Sequence, residues 1–425
     1  MRGLVSAVNT HALERGDEST VESREIGNSA QEVGLTADYP AVTEERMAWL
    51  GLVLTPELGP RRILRAIEKA GSARRLLDMP LTELEALNLP PQTAQFVFSG
   101  MARKAADEEL ERMVQTGAGF LTHADDAYPM RLREIFDAPP VLWLRGDARL
   151  LSRPSIAVVG TRHPSPYGTG MAEMLARDLS ANGMLILSGM ARGVDTWAHK
   201  GALAAKKPTV AVWGTGVDVI YPKENKSLAE QIIATGGAIV SEMPLGTFPA
   251  PQNFPKRNRI LSGMSVGVLV VEGGEFSGTR VTARCAIEQN RDVFAVPGNV
   301  TNKNAWGPNT LIKQGAKLTA TWEDVWEELP TDVRLALDSE PGIASQEESA
   351  ASLLEDKPIP PAGESLLRVL RHDEALQMEE ILEKLEGEMS SSEIFTALFE
   401  LELSGRIRQL PGKNYVKSFP AALKG

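Results

Sequence analysis

The chain has 425 residues, 43% of them hydrophobic and 24% charged, which is enough length for two or three compact domains, each with its own core. One cysteine excludes an intramolecular disulfide, and five scattered histidines form no Cys/His cluster at structural-zinc spacing, so no metal or cofactor is expected. The first twenty residues lack an apolar export core and no later stretch runs 18 residues without polar interruption, so a cytoplasmic protein with no membrane partner is expected.

A formal net charge of −11 argues at first sight against a phosphate-rich partner. The excess is local, however. Residues 1–45 carry 3 basic and 9 acidic side chains and residues 331–363 carry 2 and 7, which accounts for all of it. Residues 151–321 carry 18 basic against 11 acidic side chains, a net-positive stretch inside an acidic protein.

In chain order, residues 1–43 are polar and acidic without periodicity and are expected to form a flexible tail. Residues 44–120 turn helical, through LGPRRILRAIEKAG and ARRLLDMPLTELEALNLPPQTAQFVF, and form an all-helical unit. Leu58-Gly59-Pro60 and Leu89-Pro90-Pro91 are tight apolar turns in front of new helices. They resemble helix-hairpin-helix or sterile-alpha-motif-like modules, although two ordinary helix-helix turns read the same way.

Residues 121–330 alternate strand, loop and helix. SIAVVG, MLILSG, TVAVWG, AIVSE, VGVLVVE and DVFAVPG are short apolar runs, and helical patterns such as 171–182, 194–205 and 227–235 separate them. Nearly continuous apolar strands between helices specify a parallel sheet covered on both faces. The fold class is therefore α/β, a Rossmann-like doubly wound and mostly parallel sheet with ligands at the carboxyl ends of its strands. Residues 331–363, rich in Ser, Pro, Ala and acids, read as a linker. Residues 364–425 follow the order helix, helix, helix and two short strands about Pro411-Gly412, the order of a winged helix. Its third helix carries Glu393, Glu400 and Glu402 with no basic residue before Arg406, which disfavours duplex reading and favours protein contact.

Several formulas fail on their surroundings. Gly160-Thr161-Arg162 lacks the dinucleotide glycine spacing, GGEFSGTR has Thr279-Arg280 where a P-loop needs Lys and a hydroxyl, and Gly263-Met264-Ser265-Val266-Gly267 joins helix to strand rather than strand to helix. Asp195 and His199 lie four apart on a helix, and a capping Asp beside a buried, hydrogen-bonded His accounts for them without catalysis. What remains is a set of small-residue, basic strand-end loops: GTR (160–162), SGMARGVD (188–195), YPKEN (221–225), FPKRNR (254–259) and SGTR (277–280). Gly and Ser let backbone amides approach phosphate, and Arg162, Lys223, Lys256, Arg257 and Arg259 supply neutralising charge. Tyr221 and Phe254 are candidates to stack on bases.

The succession IAVVGTRHPSPYG, ILSGMARGVDTWAHKGAL, VAVWGTGVDVIYPKEN, FPKRNRILSGMS and VLVVEGGEFSGTRVTARCAIEQNRDVFAVPG, within residues 123–320, resembles the DNA-processing protein A family, also called DprA or Smf. The resemblance implies a binding protein with no established catalysis, which protects single-stranded DNA and loads the RecA recombinase during natural transformation and recombination, as a homodimer. It carries the family's DNA-binding arginine to Arg162, its basic loop positions to Lys223, Lys256, Arg257 and Arg259, and its small pocket residues to Ser188, Gly189, Ser277 and Gly278. Arg280 stands where the family often has Leu, and its role stays open. Two other readings remain: a phosphoribohydrolase-like enzyme on phosphorylated nucleotides, suggested by Glu272-Gly273-Gly274, and a scaffold whose end domains recruit partners.

Overall fold

A computed structural model describes residues 39–275, 277–338 and 359–419. Most of the acidic tail and residues 339–358 of the expected linker lie outside these. The linker begins later than its composition suggests: Thr331–Asp338 is a helix that buries Val333 and Leu337 against the α/β core.

Six helices, Glu44–Val53, Pro60–Ala70, Ala73–Asp78, Leu81–Ala86, Pro91–Phe98 and Met101–Thr116, make up the N-terminal unit. Thr43 caps the first by accepting from the Arg46 amide, and Pro60 and Pro91 start their helices where a missing N–H costs nothing. Within Pro60–Ala70 the side chains of Ile63, Ala66, Ile67 and Ala70 are buried, while Arg61, Arg62, Arg65 and Lys69 face solvent.

The central sheet has nine strands in the order β1-β2-β6-β5-β4-β3-β7-β8-β9. They are β1 (Gly119–Thr122), β2 (Val141–Gly146), β3 (Ser155–Val159), β4 (Leu185–Ser188), β5 (Thr209–Trp213), β6 (Ala238–Ser241), β7 (Gly267–Val270), β8 (Asp292–Ala295) and β9 (Lys317–Leu318). Strands β3 to β8 are the six apolar runs, and β6 through β9 pair in parallel. Strands β1 and β2 add an antiparallel edge that the runs did not announce. After β3 the chain builds outward through β4, β5 and β6, then returns to lay β7 on the other side of β3, so the topological switch point lies between β3 and β7.

Alternate side chains of one strand enter different cores. Leu142, Leu187, Val212 and Val268 face the helices Asn253–Met264 and Gly278–Glu288. On the opposite face Ile156, Val158 and Ile186 pack under Pro166–Ala181 and Val194–Ala204, whereas Trp143, Ala211, Trp213 and Ile239 pack under the N-terminal helices. The helical unit therefore shares its core with the sheet. The buried Glu109 carboxylate adds a clasp by accepting from the Leu245 amide at 2.8 Å. Strand β1 runs across the expected 120/121 boundary for the same reason.

Helices Pro361–Val369, Met378–Lys384 and Ser391–Leu403 pack Leu366, Ile381, Ile394, Leu398 and Leu401 against a three-stranded sheet. Its order is β10 (Leu376–Gln377), β12 (Asn414–Lys417), β11 (Ile407–Leu410), the winged-helix arrangement with one strand more than the two expected. Ser390 and Glu393 close a capping box on the third helix. Among the described residues no helix is long and apolar enough to cross a membrane.

Candidate nucleic-acid interface

An open pocket lies over the carboxyl ends of β3, β4 and β5, lined by Arg162, Gly189, Ala191, Arg192, Trp213, Gly214, Thr215, Tyr221, Pro222, Phe254 and Arg257. Its floor is built by loops that cross at close range. Gly193 has φ +78°, and a Cβ there would lie 2.3 Å from the Thr161 carbonyl oxygen, so only glycine fits. The Val194 amide donates to that oxygen at 3.1 Å and fastens the two loops together.

Asp195, in the first turn of Val194–Ala204, is buried and accepts from the Gly189 and Ala191 amides at 3.1 and 3.2 Å. It caps the preceding loop rather than its own helix, and it uses amides that the sequence offered to phosphate. Asn225 Nδ2 ties the same loop to the YPKEN segment, donating to the Met190 carbonyl at 2.8 Å and to Thr196 Oγ1 at 2.9 Å. His199 is buried, with Nδ1 2.8 Å from Thr209 Oγ1, whose proton goes to the Ile186 carbonyl. Nδ1 is thus the donor, and with Nε2 buried and without a partner the ring is neutral. Burial, helped by the nearby Arg257 charge, pushes its pKa down to about 3.

The expected DNA-contacting residues separate into distinct groups. Arg162, Lys223 and Lys256 are exposed. The Arg162 guanidinium stands 5.9 Å from the centroid of Phe254, whose ring is 5.6 Å from that of Tyr221 at a 39° tilt. Two rings and a cation thus share the pocket mouth. Lys223 lies in the short turn Lys223–Asn225, and Lys256 in the first turn of Asn253–Met264.

Arg257 and Arg259 turn inward. Arg257 is buried beneath Gly189 and donates Nη1 to the Val212 carbonyl, leaving Nε without a partner. A Cβ at Gly189 would lie 1.9 Å from its Nη1. Burial pushes the Arg257 guanidinium down and the Asp195 carboxyl up, and each charge opposes the other's shift. Arg259 is committed to Glu242 and to Asp137, the latter at 3.2 Å, and it does not line the pocket. The reason is helical geometry: residues 256, 257 and 259 point in different directions, and only the first points to solvent.

Three small residues also differ from expectation. Ser188 is fully buried and donates Oγ to the Val158 carbonyl at 2.7 Å, so it joins β4 to β3 and does not line the pocket. Ser277 and Gly278 start the helix Gly278–Glu288 beyond the switch point and are likewise absent from the lining. Arg280 belongs to that side too, 5.5 Å from the Trp306 ring centroid and donating to the Glu275 carbonyl at 2.9 Å. Arg192, which the sequence reading did not single out, lines the pocket and pairs with Glu224 at 2.9 Å. Its place in the SGMARG loop was the available signal.

At the switch point the crevice is filled by the chain itself. The Glu272 carboxylate, 2% exposed, accepts from the Ser165 amide at 2.8 Å and from Ser165 Oγ, at the N-terminus of Pro166–Ala181. Asn304 Nδ2 lies 3.4 Å away. A Cβ at Gly168 would collide with this carboxylate at 2.4 Å. The helix end that receives pyrophosphate in dinucleotide-binding sheets thus holds an internal anion.

A family model described as DNA recombination-mediator protein A matches residues 119–330, and one described as DprA winged helix domain matches residues 347–413. Protein Smf of Escherichia coli (strain K12) is 38% identical over 321 residues, covering 75% of this chain and 83% of that protein. The chain belongs to the DNA-processing protein A family. The DNA processing protein DprA of Bacillus subtilis is 43% identical over 217 residues, 51% of this chain and 73% of that one. The X-ray structure of DNA processing protein A from Streptococcus pneumoniae superposes with a TM-score of 0.59 at 34% identity, covering 68% of this chain and 99% of that one. In this member of the DNA-processing protein A family the α/β match begins at β1 and ends just before the helix Thr331–Asp338.

Proposed function

We propose that this chain binds single-stranded DNA along the open edge of the pocket, protects it, and loads a RecA-type recombinase on it, acting as a homodimer and without catalysis. The carrying observation is the combination at the pocket mouth: Arg162 over Phe254, Tyr221 beside it, and Lys223 and Lys256 exposed. Rings offer stacking surface to unpaired bases of any sequence, and the cations meet the phosphates between them. Arg257 holds the floor from below. Its spare Nε gives the floor a positive character although the loop amides are already used. The names of its relatives, DNA processing protein and DNA recombination-mediator protein A, support the same reading.

A nucleotide-hydrolysing enzyme fits less well, because the phosphate position at the switch point is taken by Glu272. The deciding experiment is a salt titration of single-stranded oligonucleotide, duplex and mononucleotides against wild type and Arg162→Ala. Three phosphate contacts give a slope of about −2 in log affinity against log salt for a single strand. Equal affinity for duplex, or unchanged affinity in Arg162→Ala, refutes the pocket assignment, and release of base or sugar phosphate points to the enzyme. Recombinase assembly on a strand already coated with single-strand-binding protein tests loading. Light scattering over a concentration series tests the dimer.

A further inference from the structure

The winged-helix domain segregates its charge. Glu393, Glu400 and Glu402 lie on its third helix, whereas Arg406, Arg408, Lys413 and Lys417 lie on or beside the wing strands β11 and β12. The wing, and not the third helix, faces the α/β domain. Arg408 pairs with Glu173 at 2.9 Å, and Phe419, just past β12, packs 6.0 Å from the Tyr167 ring.

The landing place adjoins the pocket. Gly193, whose Cβ position lies 2.7 Å from the Arg162 carbonyl carbon, precedes Val194–Ala204, and the Trp197 amide donates to the Gly193 carbonyl one turn further on. Trp197 is half-buried, with Lys200 Nζ 4.2 Å and the Arg408 guanidinium 5.1 Å from its ring centroid. An indole that meets cations from two different domains, one helical turn past the glycine that touches the Arg162 backbone, has the components of a single-strand platform.

We propose that this seam is a second nucleic-acid site, on which single-stranded DNA leaving the pocket stacks a base on Trp197 and passes its phosphates to Lys200 and to the wing. The inference rests on the single-strand reading of the pocket. Lys200 is exposed on a flexible stem, so its ammonium can exchange the ring for a phosphate and free one indole face for a base. Arg408 stays in place because Glu173 holds it, and it fixes the wing beside the path. An unpaired base is required, since a duplex keeps its ring faces stacked. The wing thereby contributes to binding although the third helix is acidic.

The test uses the full chain and two oligonucleotides, one short enough to fill only the pocket and one about three times longer. Trp197→Ala weakens binding of the long strand about tenfold, the loss of one stacked base, and leaves the short strand unaffected, while Trp197→Phe retains most of the long-strand affinity. Lys200→Gln, which leaves the Arg408–Glu173 pair and the Phe419–Tyr167 contact in place, lowers the long-strand salt slope by about 0.7. If both variants bind the long strand like wild type while Arg162→Ala still loses the short one, the seam only anchors the wing: the inference is overturned and the pocket stands. If Arg162→Ala binds the short strand normally, both fail.

Discussion

Two crevices open on the same edge of one sheet, and they have opposite contents. The pocket over β3, β4 and β5 presents Arg162, Tyr221 and Phe254 to solvent, while the crevice between β3 and β7 is closed by the Glu272 carboxylate on the helix end at Ser165. Topology makes both places suited to anions. A glutamate at 272 and a glycine at 168 that leaves room for it close one and leave the other as the site. The lesson is that the switch-point rule locates the edge, and the side chains choose the position along it.

The sharpest way to break this comparison is beneath the pocket. Arg257→Ala leaves the buried Asp195 carboxylate without its counter-charge and is expected to cost about 3–5 kcal/mol in urea unfolding; a change under 1 kcal/mol would show that Arg257 is not part of the floor. At the mouth, Arg162→Ala is expected to cost about tenfold or more in single-strand affinity, as for a lost charged hydrogen bond, with the melting curve unchanged. Arg259→Ala should do the reverse, destabilising through the unpaired Glu242 while the folded protein binds DNA normally. Measuring stability and affinity for both arginines separates interior from interface.

The closed crevice has its own test. Glu272→Gln keeps the shape, removes the charge, and is expected to cost about 1–2 kcal/mol without altering single-strand affinity. If it weakens DNA binding as much as Arg162→Ala, the two crevices act as one site and the contrast collapses. The interior also carries a pH test, the titration of His199. Its folded pKa of about 3 lies below the ordinary 6.5, so below pH 6.5 the unfolded chain takes up a proton that the fold refuses. Stability from this group is complete above pH 6.5 and falls by at most about 1.4 kcal/mol per unit as pH drops toward the folded value. In His199→Gln that part of the slope between pH 7 and 5 should disappear from thermal melts; an unchanged slope would assign the acid sensitivity to other groups.

Much of the fold was legible because parallel strands buried on both faces have to be apolar throughout. Strands β3 to β8 show as uninterrupted runs, with helices between them at the period of 3.6. Strands β1, β2 and β9 did not show: β1 and β9 are short sheet edges, and β2 joins the sheet only through its antiparallel pairing with β1 and the distant β6. An amphipathic helix reads the same whether its apolar stripe meets another helix or a sheet, so the sharing of one core by the N-terminal helices and β5 was hidden. At the site, Arg162 and Lys223 were readable as basic loop residues with Tyr221 as an aromatic neighbour, whereas Phe254 and Lys256, read as part of a loop, lie in the first turn of the helix Asn253–Met264.

From the sequence alone came the α/β class, the winged helix, the family and the sheet edge where charge collects, because hydrophobic period and charge distribution are local properties of the chain. The destination of each side chain within FPKRNR, the use of the loop amides by Asp195, the burial of Ser188 and the closure of the switch point by Glu272 were decided only by tertiary structure. A residue's chemistry is written at its position. Whether that chemistry faces solvent or is neutralised inside depends on partners brought up from elsewhere: Glu242 and Asp137 for Arg259, Val158 for Ser188, Ser165 for Glu272.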